Sequence, residues 1–317
     1  MRKVLITLLA LASVVLALRL GSTSLSLTQL LSGDLEAHTV VWQLRLPRVL
    51  LAALVGGGLA LAGACIQGIF RNPLADPSLL GVAGGAAFAA ALGIAFAPAV
   101  AASPWLLAGV AFVGGLLATL IVLSFGGRNT DLYTILLAGL AVNAAALALV
   151  GLIGVLSMET TFRSISFWTM GSLNQATWID VGVASLILPC ALLLIRRAST
   201  LDGLVLPDAE AQSLGIPVSQ SRRQVIVLVA AITGIAVSLT GVIAFVGLIV
   251  PHMIRLSMGA THRTLLPCAF AGGAILIVLA DLLSRTLIVP MEIPVGIITA
   301  LLGAPIFVLL LRAQVKA

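Results

Sequence analysis

The charges of this chain are gathered into short breaks, and between them run about ten stretches, each close to the roughly 20 apolar residues a membrane-spanning helix needs. The runs are 4–20, 48–68, 79–97, 104–124, 132–157, 177–195, 224–243, 245–260, 265–284 and 294–312. Only 9% of the 317 residues are charged and 61% are hydrophobic, against about 25% charged in an ordinary soluble domain. In hydrocarbon every backbone N–H and C=O must be satisfied within the protein, which leaves helices and closed barrels. Runs of this length select the helix. The sequence therefore predicts an all-α, polytopic membrane bundle of about ten transmembrane helices, with residues 1–317 forming a single transmembrane domain. The eighth run is the weakest, because Pro251, His252 and Arg255 interrupt it and point to a broken or shallow helix.

Orientation follows from the basic residues. With the amino terminus inside and ten spans, Arg2, Lys3, Arg71, Arg128, Arg196, Arg197, Arg222, Arg223, Arg255, Arg263, Arg312 and Lys316 fall on the inner side. Arg19, Arg45, Arg48, Arg163 and Arg285 fall outside. Positive charge concentrates on the cytoplasmic side of membrane proteins, so both termini are expected in the cytoplasm. Trp42, Trp105, Trp168 and Trp178 all fall at outer span ends or outer loops, where an indole buries its ring and keeps its N–H wet. Met1-Arg2-Lys3 before an apolar run resembles a signal peptide, but Ala17-Leu18-Arg19 offers no convincing cleavage site, so a retained first helix is expected. The +6 net charge comes mainly from inner loops and forms no basic helix face, which argues against nucleic-acid binding.

Against this background three outer arginines stand out. Arg45 and Arg48, in Leu44-Arg45-Leu46-Pro47-Arg48, open one uncharged run, and Arg285 closes another. Positive residues are depleted on that side, so their placement suggests a receptor for something acidic. Snorkelling to lipid phosphates is the simpler alternative.

Glycine and alanine are dense within the spans, as in Gly56-Gly57-Gly58 and Gly114-Gly115, and small residues let helices approach closely in lipid. An inverted repeat is hinted at by Gly63 and Pro73 having the same spacing as Gly241 and Pro251, on spans that run in opposite directions. Three segments lie outside the spans. The first, Arg71 to Pro77, carries two prolines and reads as a rigid inner turn. The second, Met158 to Trp178, is mixed aromatic and polar, and suits equally a short helix lying at the interface or a plain connecting loop. The third is the long inner loop Arg196 to Arg223. Asp208 and Glu210 follow Pro207 where they favour a helix start, and Gly215 and Pro217 stop it. The two-turn helix so defined presents Leu214 and Ile216 to a partner; a solvated loop is the alternative.

Several chemistries lack their residues. There is no phosphate-binding Gly-rich loop with its lysine, no H-E-x-x-H, no paired Cys motif and no nucleophile elbow. Cys65, Cys190 and Cys268 share no metal-like spacing and read as small core residues. His38, His252 and His262 are dispersed; His252 after Pro251 could line a path, though a packed or interfacial histidine is the simpler reading. No metal or cofactor site is expected in this chain, and no enzymatic activity. Ion coupling usually leaves ionisable groups at mid-membrane depth; here the acids, Asp34 and Glu36 among them, fall in loops or near span ends. Asp281, the deepest, is four residues from Arg285 and can pair with it on one helix face. An ion-coupled secondary transporter is disfavoured, and external power is implied.

Long motifs in order now carry a resemblance. Arg45-Leu46-Pro47-Arg48, Gln67-Gly68-Ile69-Phe70-Arg71-Asn72-Pro73-Leu74-Ala75-Asp76-Pro77, Phe167-Trp168-Thr169-Met170-Gly171-Ser172, Gly247-Leu248-Ile249-Val250-Pro251-His252 and Gly303-Ala304-Pro305 together resemble the FecCD-type permeases of bacterial ABC importers for iron-siderophores, haem and cobalamin. The resemblance covers essentially the whole chain. It implies the permease of a type II ABC importer in the bacterial inner membrane, acting as a homodimer with two ATPase subunits and a periplasmic substrate-binding protein. ATP and Mg would then be bound by the ATPase chains. Arg45, Arg48 and Arg285 match the family's outer arginines, which pair with glutamates of the binding protein; Leu206, Pro207, Glu210, Leu214, Gly215 and Ile216 match its ATPase-coupling segment. The stretch Gly68 to Pro77 looks closest to the haem permeases, which implies haem as substrate, with a ferric siderophore next and cobalamin after it.

Overall fold

The structure, a computed structural model, describes residues 2–21, 38–127 and 131–315. Of the residues weighed above, Met1, Asp34, Glu36, Arg128 and Lys316 lie outside this range.

The apolar runs fold as helices, and among the described residues there is no strand. In chain order they are α1 (Arg2–Arg19), α2 (Leu46–Ile69), α3 (Val82–Phe96), α4 (Pro104–Phe125), α5 (Leu132–Leu156), α6 (Glu159–Thr169), α7 (Trp178–Ala184), α8 (Ile187–Arg196), α9 (Ala198–Leu204), α10 (Asp208–Ser213), α11 (Val218–Thr240), α12 (Val246–Met258), α13 (His262–Thr286) and α14 (Val295–Val315). A π-helical stretch, Val40–Arg45, leads directly into α2. Polar side chains mark several starts: the Ser103 hydroxyl accepts from the Leu106 N–H, Asp131 accepts from Thr134, and Thr177 with Asp180 forms a reciprocal capping box.

Six segments are long and apolar enough to cross a membrane, α7 and α8 together forming one of them, and four shorter apolar helices bring the set to the ten runs of the sequence. The eighth run is, as its interruptions suggested, a short helix of 13 residues with Pro251 inside it. The segment after Met158 is a helix rather than a plain loop, amphipathic α6, with Ile165 buried and Phe162 and Phe167 exposed.

α2 is the axis of the bundle. In the segment Val40–Ile69, 83% of the most apolar stretch is buried, against 17% for α5. Packing this close has a covalent reason. A Cβ on Gly56 would sit 2.3 Å from the Gly273 carbonyl of α13, and one on Gly273 would sit 2.1 Å from the Gly56 carbonyl. Further along, a Cβ on Gly63 would lie 1.8 Å from the Gly247 carbonyl of α12. Only hydrogen in these places lets the backbones touch, which replaces the missing hydrophobic drive between helices in lipid with dispersion contact. Cys65 and Cys268 are buried in the same core. Gly63 stands in mid-helix, whereas Gly241 ends α11 with a positive φ of 72°, so the Gly-to-Pro spacing joins two structurally different positions.

The 24 residues of α2 span about 36 Å at 1.5 Å per residue. Its start carries Arg48 and its end leads to Arg71, and these two ends hold the residues of interest.

Candidate docking and coupling sites

At the Arg48 end, the three arginines singled out in the sequence are brought together although more than two hundred residues separate Arg285 from the other two. Arg48 Nε donates to Asp281 Oδ1 of α13 at 2.8 Å, and its Nη1 reaches the Glu292 carboxylate at 3.0 Å. Arg285 Nε comes 3.3 Å from the other Asp281 oxygen, the expected pairing four residues apart, and its Nη2 donates to the Ala17 carbonyl at 2.9 Å. Arg45 Nη1 donates to the Leu18 and Arg19 carbonyls at 2.8 and 2.9 Å. The last carbonyls of a helix have no intrahelical partner, so Arg45 and Arg285 cap the end of α1. A Cβ on Gly21 would lie 3.1 Å from Arg45 and 3.6 Å from Arg285, which sets those two guanidiniums side by side.

The three arginines are only 5, 8 and 5% exposed. They are turned inward on chain partners rather than held out to solvent. Asp281 is buried as well. This is a charge cluster inside the bundle end, and Arg serves it because one planar fork can hold two carboxylates.

Beside the cluster lies a cavity of about 390 Å³, lined by Trp168, Asn174, Gln175, Asp180, Glu292 and Thr240 among others. Trp178 Nε1 donates to the Trp42 carbonyl at 2.9 Å, and Trp42 stacks near His38. With Trp168 on the cavity wall and Trp105 beside its Pro104, all four tryptophans gather at the Arg48 end, the belt arrangement of an interface.

The other end is built around Asp208. Its Oδ1 accepts from Arg71 Nη2 at 2.6 Å and from Arg222 Nη2 at 2.5 Å, and its Oδ2 accepts from Arg222 Nη1 at 2.8 Å. Arg71 also donates to the carbonyls of Leu204 and Leu206. Its backbone sits in the left-handed region, φ 50°, which costs an L residue about 1–2 kcal/mol and is offset by these bonds. The turn after α2, the segment between α9 and α10, and the start of α11 are thereby tied at one carboxylate. Hydrogen bonds from Arg222 hold the Asp208 carboxyl below its usual range, with Arg71 adding to the effect.

The candidate coupling segment, Leu206 to Ile216, folds much as its residues dictate. Pro207 precedes α10, Glu210 lies in its first turn, and Gly215 takes φ 79° beyond its end. Leu206 and Leu214 are exposed. Ile216 departs from expectation: its side chain lies where a Cβ on Gly203 would be, 2.1 Å from its Cδ1. It packs down on α9 while Leu214 alone of the pair faces out. α9 itself was hidden in what the sequence presented as loop.

The histidines occupy separate places. His262 Nδ1 lies 2.6 Å from Asp202, which also accepts the His262 backbone N–H at 2.9 Å; its ring lies against Gly68. His252 follows Pro251 in α12. Among the described residues no three of His, Cys, Asp and Glu come together as a metal site would need.

Residues 8–313 match the FecCD transport family. The chain is 44% identical to the hemin transport system permease protein HmuU of Yersinia pestis, over 98% of this chain and 94% of that one. The chain belongs to the FecCD transport family. It is also 39% identical to the vitamin B12 import system permease protein BtuC of Pectobacterium atrosepticum, over 86% of this chain and 82% of that one. A solved inward-facing metal-chelate type ABC transporter, 36% identical, superposes with a TM-score of 0.91 over 99% of this chain and all of the other.

As a FecCD protein the chain is the permease of a type II ABC importer, which accounts for its bundle of apolar helices. Three residues of this FecCD chain have pairings the sequence does not show: Glu292 on Arg48, and Arg71 and Arg222 on Asp208. Each is a charged residue near a span end, where solvation is the default, and no short spacing betrays its partner. Asp281 was the exception, flagged by its depth.

Proposed function

We propose that this permease moves haem from the periplasm to the cytoplasm, driven by two ATPase subunits and fed by a periplasmic substrate-binding protein. The observation that carries the substrate is the 44% identity, over nearly the full length of both chains, to a permease named for hemin transport. The protein works as a homodimer in the bacterial inner membrane and forms one transmembrane domain. Its Arg48 end faces the periplasm and its Asp208 end the cytoplasm, with both termini on the cytoplasmic side. That orientation rests on the excess of basic residues at the Asp208 end and the tryptophans at the other.

In this reading Arg45, Arg48 and Arg285 receive acidic side chains of the binding protein, and Leu206, Pro207, Glu210, Leu214, Gly215 and Ile216 meet the ATPases. Exposed Leu214 is the apolar contact, and Asp208 anchors the segment to the turn after α2. ATP and Mg belong to the partner chains, and this chain needs no cofactor. Closure of the ATPases would then bias the bundle between its two openings through differential contact with α10.

The test is uptake into proteoliposomes that hold the permease with its ATPase, with binding protein and substrate outside and ATP inside. Haem accumulation that requires both ATP and binding protein supports the proposal. Uptake of cobalamin instead, which the 39% identity to a vitamin B12 permease favours as the second reading, or of a ferric siderophore, keeps the importer and moves the substrate. Accumulation without the ATPase overturns the mechanism.

A further inference from the structure

Two carboxylates hold Arg48, and they differ sharply in access. The Asp281 side chain is 1% exposed and lies between Arg48 and Arg285. The Glu292 side chain is 38% exposed and comes from the segment between α13 and α14. That segment is clipped in place beside it: the Ile293 N–H donates to the Ser284 carbonyl at 3.1 Å, and the Ser284 hydroxyl donates back to the Ile293 carbonyl. An exposed carboxylate is thus stationed on a nearly buried guanidinium. Among the described residues Arg45, Arg48 and Arg285 outnumber Asp281 and Glu292, an excess of positive charge that attracts an acidic partner. Yet of the two groups on Arg48, the one a partner can reach is Glu292.

We infer that Glu292 is the chain's own stand-in for a docking carboxylate: an acidic side chain of the binding protein takes its place on Arg48, and Glu292 turns toward the cavity it already lines. The inference rests on the docking reading of the three arginines. Three features make the exchange chemically even. The incoming group is of the same type, so Arg48 loses no hydrogen bond. Asp281 stays put, so no buried charge is left alone. Glu292 moves into solvent at the cavity wall, where a carboxylate is well hydrated. Competition of this kind lowers affinity for every partner and restores it only for one with an acid at the right place, which is how a repulsive element sharpens specificity. It also links the two sites, because docking changes the charge that faces the cavity containing Asp180.

The experiment titrates the cognate substrate-binding protein onto the permease–ATPase complex in nanodiscs, for wild type, Glu292→Gln, Arg48→Lys and the double variant. Arg48→Lys keeps a cation beside Asp281 and so preserves the fold, but a lysine lacks the fork that holds two carboxylates. Glu292→Gln is expected to bind the partner about twofold to fivefold tighter, the range of an exposed ion pair removed from competition. Arg48→Lys should bind about tenfold weaker, consistent with losing one charge-assisted pair. In the double variant the gain from Glu292→Gln should vanish, because it acts through Arg48. Weakening by Arg48→Lys with no tightening by Glu292→Gln overturns the stand-in role alone. Unchanged affinity in Arg48→Lys, whatever Glu292→Gln does, removes the docking reading beneath it.

Discussion

The two ends of α2 solve the same problem, holding arginine and aspartate together, in opposite surroundings. At the Arg48 end the acid shared by two arginines, Asp281, is 1% exposed and its arginines are nearly as buried. At the other end the shared acid, Asp208, is 47% exposed, and only one of its arginines, Arg222, is deeply buried. A buried pair is costly to break because a lone charge is left in low dielectric, whereas an exposed pair is replaced by water. The first end is therefore a structural clamp, and the docking proposal asks it to receive charge as well. The second is a joint, cheap to open, at the place where the permease proposal needs movement.

The largest expected effect comes from breaking the clamp. Arg48→Ala leaves Asp281 with one arginine fewer and should cost about 3–5 kcal/mol, read as a drop in melting temperature in detergent. The double variant Arg48→Met, Asp281→Leu should not rescue it, because buried Arg285 then loses the carboxylate it shares with Arg48. A loss below about 1 kcal/mol for Arg48→Ala, the range of exposed pairs, would erase the contrast between the ends.

Between the ends, Gly56→Ala tests whether both are held to a rigid axis. Its methyl would lie 2.3 Å from the Gly273 carbonyl, so α2 and α13 must separate, at about 1–3 kcal/mol. Melting at the wild-type temperature would show that the two helices have room to part.

Asp208→Asn should cost about 1 kcal/mol, since water replaces the lost charge on Arg71 while buried Arg222 keeps the amide oxygen as an acceptor. Its effect belongs in coupling: ATP hydrolysis should continue while substrate moved per ATP falls severalfold, measured in the same liposomes. Unchanged transport per ATP would make the joint ornamental to the power stroke.

The smallest effect is in acid. Folding depresses the Asp208 carboxyl through its bonds to Arg222 and then Arg71, so its contribution is complete above the unfolded value of about 3.9 and is lost as pH falls through the lower folded value. Wild type and Asp208→Asn should thus converge in stability below about pH 4, with screening keeping the difference small. Divergence toward acid would reverse the sign and place the carboxyl in a different environment.

Much of this was legible in one dimension. Ten runs became ten apolar helical segments, because length and the absence of charge are local properties that hydrocarbon enforces residue by residue. Pro207, Glu210 and Gly215 announced α10 for the same reason: caps and turn glycines act within one turn of chain. Ile216 did not follow, since its inward position depends on Gly203 of α9, a helix too short to declare itself by period. The arginines were conspicuous as charges but not as a cluster.

The sequence by itself determined which segments enter the membrane, where their ends lie and which charged residues are out of place there, all of which follow from the transfer cost of each residue. Only the tertiary structure decided that Arg48 meets Asp281 across 233 residues, that Glu292 covers it, and that Arg71 and Arg222 share Asp208. Ion pairing depends on where helices touch, and that is set by glycine contacts such as Gly56 on Gly273, whose partners lie far along the chain and leave no spacing to read.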